Sequence, residues 1–167
     1  MQSIKISKVL VLGSSGVVGH GVSTDLIRNN YFVLGTSNKK KLVSSSINFL
    51  NTSNIDFNKK NFIKKIEKLI KNHRPQAIIN CVGLLPNKPN NNFRFQVNKI
   101  NNKSVMKILN LSIKNNLSFF INIGGHSIQK KLKEKNLPVI QKCYFRSKSV
   151  IEKKILNKKS KTKVVSL

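Results

Sequence analysis

Short apolar runs alternate with amphipathic stretches along almost the whole chain. Val9 to Leu12 is the first run, β-rich, and it stops at Gly13. Behind it Val22, Leu26 and Ile27 recur at helical spacing and predict a helix ending near Asn29-Asn30. Tyr31 to Thr36 reads as a second strand. Residues 42–54, rich in Ser and Asn, read as a loop around a short strand over Ile47 to Leu50. Phe62, Ile63, Ile66, Leu69 and Ile70 form a helical stripe. It ends before Arg74-Pro75, because a proline disfavours helix in the residue before it. Ala77 to Gly83 reads as a buried strand running into a glycine turn, and Leu84 to Asn92, with Pro86 and Pro89, as a loop. A long helix follows over about Phe95 to Asn115, then a strand over Phe119 to Ile123 that stops at Gly124-Gly125. His126 to Ile140, broken by Pro138, is expected to be irregular. A helix from about Gln141 to Leu156 and a strand opening at Lys163 complete the series.

This alternation predicts an α/β fold: a doubly wound parallel sheet of about six strands, with helices on both faces and right-handed crossovers. The 167 residues suit one domain. Ligands in such sheets bind outside the carboxyl ends of the strands, where strand order reverses. Gly13, Asp56, Gly83 and Gly124 all fall near that edge.

Only 8 glycines occur in the chain, yet three stand in register behind the first strand, in Gly13-Ser14-Ser15-Gly16-Val17-Val18-Gly19. Strand, glycine turn and helix in that order make a phosphate-binding unit. Gly13 turns the chain out of the strand, Gly16 lets the backbone approach a pyrophosphate, and Gly19 brings the helix close to the sheet. The exit of the second strand, Ser37-Asn38-Lys39-Lys40-Lys41, carries no carboxylate. In dinucleotide folds an acidic residue here holds the ribose hydroxyls, whereas a basic one accommodates a 2′-phosphate. Ser37 and the lysines Lys39 to Lys41 therefore favour NADP(H) over NAD(H), with Ser37, Asn38 and Lys39 as the expected contacts.

The formal net charge of +27 invites a nucleic-acid reading. The lysines, however, are spread over nearly every solvated face and form no basic arm interleaved with aromatics, so a nucleic-acid partner is not expected. Cys81 and Cys143 lack metal-ligand or CxxC spacing, and a reduced, cytoplasmic-type compartment is expected. No apolar window is long enough for a membrane span, and with Met1 to Ser7 leading straight into the first strand no signal peptide is expected. Five carboxylates argue against a paired-carboxylate hydrolase or a hard-metal site, so no metal is expected.

Tyr144-Phe145-Arg146-Ser147-Lys148 puts a phenol and an ammonium four residues apart, on one helix face. A tyrosine of ordinary pKa is a poor acid or base at neutral pH, and a neighbouring cation is expected to lower that pKa towards the working range. Such a tyrosine can pass a proton to a carbonyl oxygen as a hydride reaches the carbon.

With these pieces in order, the chain resembles the nucleotide-binding part of an extended short-chain dehydrogenase/reductase of the NAD-dependent epimerase/dehydratase group, nearest in flavour to the dTDP-4-dehydrorhamnose reductase-like enzymes. Gly13 to Gly19 matches the GxxGxxG of that family and Asp56-Phe57 its adenine-contacting pair. Arg74-Pro75-Gln76-Ala77-Ile78-Ile79-Asn80-Cys81-Val82-Gly83 is similar to its RPDxVINxAG strand, Val97-Asn98 to the asparagine opening its fourth helix, and Tyr144 to Glu152 to its YxRSKxxxE.

The resemblance implies a Rossmann domain over residues 1–167 that binds the dinucleotide through the glycine turn, Asp56-Phe57, Cys81, Val82, Gly83 and Asn98, with Tyr144 and Lys148 also touching it. It implies Tyr144 as general acid/base, Lys148 as its tuning cation and Ser127 orienting the substrate oxygen, with His126 as an alternative donor. A nucleotide-sugar-like carbonyl or alcohol is the implied substrate, and pairing through helices four and five the implied homodimer. The substrate lobe of the family follows the sixth strand, where this chain stops, so a fragment or a cofactor-binding remnant is expected. The alternative is a non-catalytic NADPH-binding subunit of the respiratory complex I accessory type.

Overall fold

The computed structural model describes residues 7–38, 52–86, 92–125 and 128–167. Six strands form one sheet: β1 (Lys8–Leu12), β2 (Phe32–Ser37), β3 (Thr52–Asn54), β4 (Ala77–Asn80), β5 (Phe119–Asn122) and β6 (Lys163–Ser166). Their order is β3-β2-β1-β4-β5-β6 and every pairing is parallel. The order reverses between β1 and β4, so a crevice opens beyond the carboxyl ends of these two strands.

Both faces of the sheet are covered, which is why its strands read as continuous apolar runs. Leu10, Leu12, Leu34, Ile78 and Phe120 pack on one face against Phe62, Ile66 and Ile70 of α2 (Phe62–His73), with Ile108 and Leu109 of α4 (Val105–Lys114) and Ile151 and Ile155 of α6 (Val139–Leu156). Alternate residues Val9, Val11, Val33, Ala77 and Ile79 turn the other way, towards Val22, Leu26 and Ile27 of α1 (Val17–Arg28).

Most of the expected elements are present, with three differences. The third strand is Thr52–Asn54; the run over Ile47 to Leu50 expected to form it lies outside the described residues. The segment expected to be irregular holds a short helix, α5 (Ile128–Leu132), anchored by buried Ile128. The long helix begins as α3 (Phe93–Val97) and passes through a π-helical stretch, Asn98–Ser104, before continuing as α4. α2 does stop where Arg74-Pro75 dictates, with Arg74 left-handed at φ 48°.

Candidate functional site

A cleft of about 360 Å³ lies beyond the carboxyl ends of β1, β2 and β4, a volume within the usual range of small-molecule sites. Its first wall is the glycine turn. Gly13 sits at φ +78°, and a Cβ there would come within 2.9 Å of Val82 Cγ2. The Gly13 N–H donates to Thr36 Oγ1 at 3.1 Å, while the N–H and hydroxyl of Ser14 donate to the Thr36 carbonyl. Thr36, fully buried on β2, thus fastens the turn, a role not read from the sequence. Ser14 is itself buried beneath the turn and does not line the cleft.

Gly16 caps α1 without a side-chain hydrogen bond, and the Gly16 carbonyl first accepts from His20 N–H. The N–H groups of Val17, Val18 and Gly19 therefore have no intrahelical partner. No acidic residue occupies the first turn of α1, so its positive end can meet an anion. The side chains of Val17 and Val18 are exposed, and only their backbone suits such a role. Gly19 serves a tighter contact than expected: it packs on the backbone of Gly13 and Ser14 themselves, not on the sheet.

Across the cleft, Ser15 and Ser37 share a hydrogen bond of 2.8 Å between their hydroxyls, and Asn38 lines the wall beside them. Lys39, like Ser127 and His126, lies outside the described residues. Among the described residues Asp56 is the one carboxylate lining the cleft, and its Oδ1 accepts from Asn58 N–H at 2.8 Å. Phe57 also lines the cleft, and its largely buried ring packs tilted on Phe62, centroids 5.1 Å apart. Ile55 and Ile100 add apolar wall that the sequence did not mark.

The third wall is the exit of β4. Cys81, Val82, Gly83 and Leu84 line it. Burial pushes the Cys81 thiol up to about 11, against the opposing charge of Lys148, so it is protonated at neutral pH. Lys148 is 6% exposed, and its Nζ donates to the Ile123 carbonyl at 3.2 Å. A Cβ on Gly83 would lie 3.3 Å from that Nζ, so the ammonium lies just behind this wall, on α6. Burial lowers the pKa of Lys148.

Tyr144 stands one turn earlier on α6, with Lys148 Nζ 6.0 Å from its ring centroid. The expectation that Lys148 depresses the tyrosine pKa is corrected. Burial of the half-buried ring raises it, and the ammonium, held at the Ile123 carbonyl, does not offset that.

Asn98 is also corrected. It is exposed and does not line the cleft. The asparagine turned inward is Asn101, one turn further along the π-helical stretch and 1% exposed. Its Oδ1 accepts from Leu84 N–H at 2.8 Å, and its Nδ2 donates to the Leu84 carbonyl at 3.2 Å and to Ser147 Oγ at 3.4 Å. Asn101 so ties the third wall of the cleft to α6. Asn101→Ala leaves both Leu84 backbone groups unpaired and is expected to cost about 1–3 kcal/mol of stability. A chemical-denaturation series would measure it; an unchanged midpoint would mean that the loop holds without this clamp.

The sequence model of the NAD dependent epimerase/dehydratase family matches residues 9–166. No curated protein matches the chain. Among solved structures, Helicobacter pylori ADP-L-glycero-D-manno-heptose-6-epimerase is similar over 99% of this chain and 57% of its own, at 16% identity and TM-score 0.74. Bordetella bronchiseptica WbmG, solved with NAD and UDP, is similar over 95% of this chain and 51% of its own, at 14% identity and TM-score 0.72. The Thermotoga maritima UDP-glucose 4-epimerase, solved with UDP-glucose, gives 95%, 54%, 19% and 0.69 in the same order. At these identities the likeness establishes the fold, and the chain spans about half the length of these proteins.

Proposed function

Because the chain belongs to the NAD dependent epimerase/dehydratase family, we propose that it binds NADP(H) in preference to NAD(H) at the glycine turn and acts as an oxidoreductase or epimerase. The substrate proposed is a nucleotide-sugar-like carbonyl or alcohol. The observation that supports this reading is the approach of the Lys148 ammonium to Gly83, a residue lining the cleft, with Tyr144 one turn earlier on the same helix.

The residues fit a dinucleotide. The left-handed Gly13 and the N–H groups opening α1 suit a pyrophosphate. Asp56, fixed by its own loop, can accept from an adenosine, and Ser37 and Asn38 leave no carboxylate to repel a 2′-phosphate. NAD or UDP bound to a neighbour of the same fold supports a nucleotide ligand and a nucleotide-sugar partner. A bound nicotinamide would supply the hydride. Tyr144 would then give its phenolic proton to the substrate oxygen, or take it back in the reverse direction. Lys148 would hold its cation beside the pair, and a hydroxyl such as that of Ser127 would orient the oxygen. Pairing of two chains through the helices that answer to the fourth and fifth of the family, here α4 and α6, belongs to the same proposal, as does a cytoplasmic location. Among the described residues no helix is long and apolar enough to cross a membrane.

The raised pKa of Tyr144 sets the sign of the pH dependence. Reduction uses the phenol, so kcat/KM is expected to stay flat through neutrality and fall only above the ordinary tyrosine range near about 10. Oxidation uses the phenolate and should climb with pH over the same interval. An oxidation rate already level at neutral pH would contradict the assignment.

A second reading is favoured by that same burial. A tyrosine kept neutral, with its lysine engaged at Ile123, suits a binding-only subunit that holds NADPH without turnover. Assay of NADPH oxidation against a panel of sugar-nucleotide ketones separates the two: turnover supports the enzyme, and saturable binding without turnover supports the subunit.

A further inference from the structure

Past Asn58, which also lines the dinucleotide cleft, a second concavity of about 450 Å³ opens between the segment ahead of α2 and the outer face of the π-helical stretch and α4. Lys59 and Lys60 reach it from one side, and Lys99, Lys103 and Lys107 from the other. Five of its ten lining residues are lysines and none is a carboxylate, whereas no lysine or arginine among the described residues lines the cleft at Gly13. Five ammonium groups thus gather around one hollow with no carboxylate among its lining residues.

Three of them follow one another at four-residue spacing, where like charges repel. Their mutual repulsion favours entry of an anion into the hollow. Lys99 is already fixed there, donating to the Asn58 carbonyl at 2.8 Å, and the other four are exposed. The N-terminal end of α2, whose first turn holds no acidic residue, borders the same hollow at Phe62 and adds positive partial charge.

We propose that this concavity is a binding site for a small, multiply charged phosphate anion of the oligophosphate class, separate from the dinucleotide cleft. Its size suits a compact anion, and its five donors suit several phosphate oxygens at once.

The test is calorimetric titration of the chain with tripolyphosphate at low ionic strength, with NADPH binding followed on the same samples. Wild type is expected to bind tripolyphosphate saturably. A Lys99→Gln, Lys103→Gln, Lys107→Gln variant should bind it at least about tenfold more weakly, and Lys59→Gln, Lys60→Gln, which leaves the helix untouched, should weaken it in the same direction. A control carrying Lys130→Gln, Lys133→Gln and Lys154→Gln removes equal charge elsewhere and should stay within about twofold of wild type. NADPH affinity should be unchanged in all of them, which separates this site from the dinucleotide reading. Equal losses in the site and control variants would overturn the proposal, as would absence of saturable binding. Tighter, equally site-dependent binding of a single-stranded oligonucleotide would overturn it in favour of a nucleic-acid surface.

Discussion

Replacing Gly19 by alanine should disable the cleft and destabilise the fold together. A Cβ at this position would collide with the Gly13 carbonyl oxygen and come within 2.8 Å of its carbonyl carbon and 3.0 Å of Ser14 Cα. All three are backbone atoms of the turn, so no side chain can swing aside. Either α1 lifts off the turn or the turn moves off Thr36, breaking the hydrogen bonds that shape it. Overpacking of this kind costs about 1–3 kcal/mol, which for a chain of this size lowers Tm by roughly 2–12 °C. The loss of dinucleotide affinity should exceed the loss of stability, because the anion-facing N–H groups are displaced directly. Gly21, two residues along the same helix, is the internal control: nothing lies within 4 Å of a Cβ there. Gly21→Ala should leave binding intact and stabilise the helix by about 1 kcal/mol. Similar effects at both positions would show that helix propensity, not close approach, governs Gly19.

Tyr144→Phe is expected to lower turnover by about 10²–10⁴-fold, the usual contribution of a positioned general acid or base. The phenyl ring keeps its packing on Phe145, centroids 5.3 Å apart in the native pair, so stability and dinucleotide affinity should change little. Steady-state rates beside a binding titration make the distinction. Unchanged turnover would remove Tyr144 from the mechanism, while parallel loss of binding would give it a structural role.

The sheet and the glycine turn were legible because their signals are local. Apolar runs covered on both faces mark the strands, and Gly13 at φ +78° is the kind of turn that only glycine makes without strain. The clamp on the cleft was not legible. Asn98 and Asn101 are three residues apart, nearly one face of an ordinary helix, so spacing cannot choose between them. The π-helical winding over Asn98–Ser104 chooses Asn101, and that winding has no sequence signature here. Thr36 escaped notice for a related reason: its part depends on β2 lying beside β1, a long-range pairing. The Tyr144–Lys148 spacing was readable, but the direction of the tyrosine pKa depends on how deeply α6 buries the ring.

The central claim is that the turn from Gly13 to Gly19 holds a nicotinamide dinucleotide, with NADPH preferred. An equilibrium titration of the chain with NADPH and with NADH, followed by nucleotide fluorescence, tests it most directly. The expected result is saturable binding at one site per chain, tighter for NADPH and lost in Gly19→Ala. Absence of saturation with either nucleotide, or binding that Gly19→Ala leaves untouched, would contradict it.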